Sequence, residues 1–240
     1  MESQPTVPRV KAAPSRAAHV SAEHDDDRQI AAHARPTVML LLEVAERLFA
    51  ESGVESVTLN RIVEESGQRN RSALNYHFGS RADIVTQLLI MRLSHVNQIR
   101  HRYLDRLEQR GQGGDVHAIL TAAIRPLGEV IRHEPWGRHY VKILAQTMLS
   151  PALRSPDIID PTVTSAIART NRLIAAALPH VPRSVMQMRL NYLQETVIFS
   201  IVRALQQEGR EYLSDKALNN LIDFCTAGVM GVVSAACKNA

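Results

Sequence analysis

Residues 58–83 read TLNRIVEESGQRNRSALNYHFGSRAD, and the punctuation of this stretch decides the fold. Thr58 stands where an N-cap belongs, Leu59, Ile62 and Val63 supply the inward face of a short helix, and Gly67 stops it. A further short helix starts after Asn70, another good cap, with Leu74 and Phe78 as its buried pair. Ser80 and Asp83 then form a capping box for a long helix, whose apolar pattern runs through Ile84, Leu88, Met91, Val96 and Ile99 to about Leu107. Upstream, Val38, Leu41, Leu42, Ala45, Leu48 and Phe49 recur at helical spacing between a candidate cap at Thr37 and a stop at Gly53. The expected unit is three short helices, the last two joined by a tight turn around Gly67, which lets the final one project from a small core.

Working outward, residues 1–35 mix Pro, Ala, Ser, Gln, His and charges without any hydrophobic period and are expected to form a disordered tail. The tail is either a basic arm, with Arg28 and Arg35 nearest the first helix, or a solvated leader that includes the acidic run Asp25 to Asp27. On the other side, the polar, glycine-rich segment Gly111 to Asp115 marks a joint. Beyond it the pattern predicts helices at about 116–133, 137–149, 162–178, 184–208 and 215–237, punctuated by prolines and Gly209. Alternating β-branched runs are missing, so the fold is expected to be all-α. The implied organisation is a tail (1–35), a helix-turn-helix domain (36–82), a long connecting helix (83–110) and a larger helical domain (111–240).

With 240 residues and 45% apolar composition the chain can bury a sizeable core, yet no apolar run is long enough to span a membrane. There is no secretory leader pattern, and the two cysteines, Cys225 and Cys237, are far from any metal-ligand spacing, which together point to a cytoplasmic protein without a metal or cofactor. No glycine-rich phosphate loop, nucleophile elbow or paired carboxylate signature occurs, so an enzyme is not expected. Of the 28 cationic residues 24 are Arg, a bias that suits phosphate forks or reflects codon usage.

Between Ser66 and Arg81 lie Arg69, Arg71 and Arg81 and no acid. With Leu74 and Phe78 turned inward, Arg71, Ser72, Asn75 and Tyr76 occupy the outer side of the second short helix; they are either a solvated face or a base-reading one, since forked Arg and Asn donors match guanine and adenine edges. The order of signals tips the reading. AERLFAESGVESVTLNRIVEESG followed by NRSALNYHFGSRADIV resembles the N-terminal DNA-binding domain of the TetR/AcrR family of bacterial transcription regulators, from Thr37 to about Leu89. By that resemblance Arg71, Ser72 and Asn75 would enter the major groove, Tyr76 and His77 would form the family's aromatic pair before Phe78, Thr58 and Arg61 would touch the other flank, and Arg81 would meet a phosphate. The family also implies double-stranded DNA with an inverted-repeat operator as partner, a homodimer, and a C-terminal effector domain.

For that larger domain the residues must be read directly. Met186, Leu190, Leu193, Val197 and Ile201 form one stripe and Leu218, Leu221, Cys225, Val229 and Val232 another, while Ala227, Gly228, Gly231 and Ala235 offer a small-residue face; the last two helices are therefore the expected dimer interface. Trp136, His139, Tyr140, Ile143 and Met148, with Tyr192, Glu195 and Phe199 across from them, are either the wall of a pocket for a small apolar effector with one polar handle, or core packing. The expectation is a ligand-responsive repressor. The rival is a DNA-anchored protein whose C-terminal domain binds a protein partner.

Overall fold

The structure, a computed structural model, describes residues 37–68, 78–153, 161–207 and 213–235. Contacts divide the chain into two units, Met1–Leu40 and Leu41–Ala240. In the first, residues 37–40 are helical. The second is all-α, with no strand among the described residues.

The first helix, α1, covers residues 37–52 and so already contains Thr37, the expected cap. Leu41, Leu42, Ala45, Leu48 and Phe49 are all buried on its apolar stripe. At Gly53 the backbone takes φ +87°, which a side chain would resist, and a single 3-10 turn, Val54–Ser56, follows. Helix α2 (Leu59–Glu65) starts at Thr58, whose hydroxyl accepts from the Arg61 amide at 3.2 Å, and it ends before Gly67 at φ +69°. The next expected helix, starting at Asn70, lies outside the described residues apart from Phe78, which is buried. Helix α3 (Arg81–Gln109) opens on the anticipated capping box of Ser80 and Asp83.

The C-terminal part is a bundle of α4 (Val116–His133), α5 (Gly137–Leu149), α6 (Ser165–Ala177), α7 (Arg183–Gln207) and α8 (Asp215–Met230). Helix α4 packs against α3, α5, α6 and α8, and α7 lies against α5 and α8. At Gly128 of α4 an added Cβ would come within 2.6 Å of Leu218, which explains how closely α8 approaches. Pro126 sits inside α4, where it removes one amide donor and crowds the preceding turn. The Ala123 carbonyl, next to the Ala122 carbonyl that loses its donor, also accepts from the Arg100 side chain of α3.

The bounds of α4 and α5 agree with expectation, but α8 is shorter than the expected 215–237. It stops at Met230; Gly231 adopts an extended ψ of 152°, and the Arg189 guanidinium caps the Val229 carbonyl at 2.7 Å. Glycines at 228 and 231 weaken the last turn further. Val232 is thus off the helix and 96% exposed rather than on its inner stripe, and Gly231 and Ala235 lie beyond the end of α8. Among the described residues no helix is long and apolar enough to cross a membrane.

Candidate nucleic-acid interface and effector region

On the DNA-binding side, the structure describes Thr58, Arg61 and Arg81, while Arg71, Ser72, Asn75, Tyr76 and His77 lie outside the described residues. Thr58 spends its hydroxyl on capping α2. Arg61 donates to Glu65 at 2.9 Å and to the Ser52 hydroxyl at 3.3 Å. Glu65 also receives Arg47 from α1 at 2.6 Å, and these hydrogen bonds, Arg47 first and Arg61 second, hold its carboxyl below the ordinary range. Arg81 reaches back over the 3-10 turn, donating to the carbonyl of Glu55 at 2.5 Å and to those of Val54 and Val57 at 3.4 Å. The Glu55 carboxylate stands 3.6 Å away. The flank of the unit is therefore a braced scaffold: arginines fasten α1, the turn and α2 to the start of α3.

That scaffold is joined to the helical bundle through α5, at both of its ends. At the beginning, Glu46 of α1, only 2% exposed, is gripped by Arg92 of α3 through Nε at 3.0 Å and Nη2 at 2.7 Å. The same guanidinium lies 4.4 Å from the ring centroid of Trp136, the residue that precedes α5. Trp136 in turn meets His95 and Tyr140 edge-on, at 5.4 and 6.2 Å. Burial pushes the Glu46 carboxyl upward and Arg92 opposes that shift. Near the other end, Gln146 accepts from the Val54 amide at 2.7 Å and donates to the Phe49 carbonyl at 3.1 Å. Gly137 has no room for a side chain, since a Cβ there would sit 2.2 Å from the Val130 carbonyl, so the corner between α4 and α5 is fixed.

Of the expected effector residues, the structure gathers those on α5 and separates the rest. Tyr140 and Ile143 are buried, and Trp136, His139 and Met148 are half-buried. Burial, aided by Lys142 and Arg138, lowers the His139 pKa. Phe199 is half-buried on α7. Tyr192 and Glu195 do not face this cluster: Tyr192 is 61% exposed and Glu195 is also exposed. The reason is helical azimuth, because Val197 and Ile201 take the inward side of α7. Tyr192 instead borders a shallow cleft with Thr196, Phe224 and Gly228 between α7 and α8. The sequence reading missed a wider groove of about 650 Å³ between α6 and α7, bordered by Arg172, Leu178, Arg183 and Met186. It also missed Arg100, which is buried on α3 in register with Leu93, Val96, Leu104 and Leu107.

A short, capped α2 followed by a left-handed glycine, braced to the helices on either side of it and joined to a helical bundle, is the arrangement expected of a helix-turn-helix regulator. Residues 41–88 match the family described as bacterial regulatory proteins, tetR family, and residues 121–228 match the tetracyclin repressor-like C-terminal domain. The chain belongs to the TetR/AcrR family, whose members are transcription regulators rather than enzymes, bind DNA and usually act as dimers. A curated relative, the HTH-type transcriptional regulator AcrR of Shigella flexneri, is 24% identical over 201 residues, spanning 78% of this chain and 90% of its own. Two solved TetR-family regulators share the fold. The protein from Shewanella sp. PV-4 has a TM-score of 0.58 at 15% identity, over 78% of this chain and 95% of its own. The one from Marinobacter aquaeolei VT8 has a TM-score of 0.57 at 13% identity, over 84% and 97%.

Proposed function

We propose that the chain is a cytoplasmic, ligand-responsive repressor that binds an inverted-repeat operator as a homodimer and releases it when a small effector engages the helical domain. The domain division is the one expected from the sequence: a DNA-reading unit over 36–82, a connecting helix over 83–110 and an effector and dimerisation domain over 111–240. The observation that carries this reading is the double attachment of α5 to the DNA-binding unit, through Trp136, Arg92 and Glu46 at one end and Gln146 at the other. A displacement of α5 by a ligand against Trp136 and Tyr140 would move both attachments together. The ligand must bind the two shapes unequally, and a tenfold release needs a difference of about 1.4 kcal/mol.

In this reading Arg71 and Asn75 touch base edges. Arg71→Ala and Asn75→Ala should each weaken operator binding by roughly 1–3 kcal/mol relative to random DNA, as lost bidentate contacts do. Footprinting locates the operator, and competition titrations against random DNA measure the difference. Equal losses on both DNAs would remove these residues from base recognition. Indole fluorescence then reports the effector, because Trp136 is the only tryptophan. An inducer that releases DNA, leaves that signal unchanged and acts equally on Trp136→Leu would move the effector site away from α5.

A further inference from the structure

We propose that Gln146 is a positioning residue for DNA recognition: its side-chain amide stands in for a peptide group at the corner after α1 and fixes the direction in which the DNA-binding unit leaves the bundle. The reading above treats Gln146 as one of two attachments that an effector moves; the further step is that its hydrogen bonds are needed for operator binding before any effector arrives. Had α1 run on, the Val54 amide would have met the carbonyl four residues back. The chain turns instead at Gly53, φ +87°, and among the described residues no backbone carbonyl takes that amide. Val54 is only 1% exposed, so the donor needs a partner from within the protein. Gln146 Oε1 accepts it at 2.7 Å. Nε2 of the same amide donates to the Phe49 carbonyl at 3.1 Å and to the Lys142 carbonyl, one turn back on α5, at 3.4 Å. An N–H on one side and carbonyls on the other admit a single orientation of the amide, and a side chain with only a donor or only an acceptor cannot replace it.

The corner that Gln146 holds leads directly into α2, since the 3-10 turn is followed by Val57 and the cap Thr58. Arg47 and Arg61 on Glu65, with Arg61 on Ser52, brace α1 against α2, so the two move as one piece. Arg81 and the Glu46–Arg92 pair both tie that piece to α3. Rotation about α3 is then opposed from α5, where the Gln146 bonds are directional. Such rotation bears on recognition because a dimer must present two reading helices about 34 Å apart. A subunit whose DNA-binding unit swings is competent for part of the time, and its apparent affinity falls by that fraction. Random DNA, held through phosphates, requires no such alignment. The unit itself stays intact without Gln146, because its internal braces are untouched.

The competing role for Gln146 is structural, the plain satisfaction of a buried amide. The test uses the full chain as wild type, as Gln146→Leu, which keeps the bulk and loses both bonds, and as Gln146→Glu, which as a carboxylate keeps the acceptor and loses the donor. Affinity is measured for the footprinted operator, for random DNA, and for operators whose half-sites are moved by a single base pair, with Tm alongside. Gln146→Leu should bind the operator about tenfold more weakly, bind random DNA within about twofold of wild type, and discriminate less between spacings. Gln146→Glu should match it near pH 8 and approach wild type toward about pH 5, because a protonated carboxyl again carries donor and acceptor, and burial against a carbonyl raises its titration into that range. The charged neighbours His139 and Lys142 on α5, Arg47 and Glu51 on α1, Glu55 in the turn and Arg81 on α3 are common to all three proteins, so the ratio to wild type at each pH reports position 146. The glutamate variant also carries the test should the leucine variant fail to fold. The proposal is overturned if Gln146→Leu binds the operator as wild type does, if operator and random DNA are lost equally with spacing discrimination unchanged, or if the Gln146→Glu ratio is flat with pH. No effector enters these measurements, so their failure leaves the ligand-responsive reading to the indole titration, and failure of that titration leaves Gln146 in place.

Discussion

Arg81 is where the residue-level accounts of sequence and structure diverge. Its place after the reading helix suggests a phosphate contact, yet in the structure its guanidinium gathers the carbonyls of Val54, Glu55 and Val57. Carbonyls at the end of a short helical turn have no partners within the helix and need donors from elsewhere. Removing the side chain should therefore loosen the joint between the 3-10 turn and α3. Arg81→Ala is expected to cost about 1 kcal/mol of stability, at the low end for orphaned acceptors because water can reach this half-exposed site. It should weaken operator and random DNA alike while leaving the slope of log affinity against log salt unchanged. Salt titrations decide the matter, since loss of a true phosphate contact lowers that slope by nearly one counterion.

At the scale of elements, α5 connects the DNA-binding region to the helical bundle. Breaking a buried ion pair by deleting one partner leaves an uncompensated charge, so Glu46→Ala should cost about 3–5 kcal/mol in denaturant unfolding. The double replacement Glu46→Leu with Arg92→Met removes both charges and should restore most of that loss. It should also uncouple the switch: an effector would still perturb Trp136, but operator release would be blunted. Full release from the double variant would show that the pair does not transmit. Much of this element layout was legible beforehand, because Thr58, Ser80 with Asp83, Gly67 and the prolines act locally on the backbone, and local signals survive folding. Three things were not legible. The end of α8 depends on Arg189, forty residues away, reaching Val229. Tyr192 and Glu195 face outward because the azimuth of α7 is set by what it packs on, and an aromatic on a helix carries no label for core or interface. Arg100 falls on an apolar stripe, 93, 96, 100, 104 and 107, whose spacing was available, but a charged residue reads as surface unless its position on the stripe is weighed. The reading residues themselves, 71–77, stay expectations, since they lie outside the described part of the chain.

For the whole molecule, α7 and α8 expose Met188, Tyr192, Phe224 and Met230, with Phe224 66% accessible, on neighbouring helices, while Gly228 leaves open space beside them. Large apolar side chains exposed together mark an association surface, and two antiparallel pairs of such helices can close a four-helix interface about a two-fold axis. That symmetry matters for function because a single reading helix has too few base contacts for specificity, whereas a dimer spaces two of them about 34 Å apart, one turn of DNA. Tyr192→Asp combined with Phe224→Asp would bring like charges together across the axis without disturbing the monomer, because both side chains are already exposed. The variant should sediment as a monomer and unfold within about 0.5 kcal/mol of wild type, as surface substitutions do. Its affinity for the inverted repeat should fall by roughly 10²–10⁴-fold, the loss of linked binding, and approach that of an isolated half-site. Random DNA, held by phosphate contacts of one subunit at a time, should be bound only slightly less well. A monomeric variant that still holds the full inverted repeat at wild-type affinity would show that the α7–α8 face does not set operator recognition.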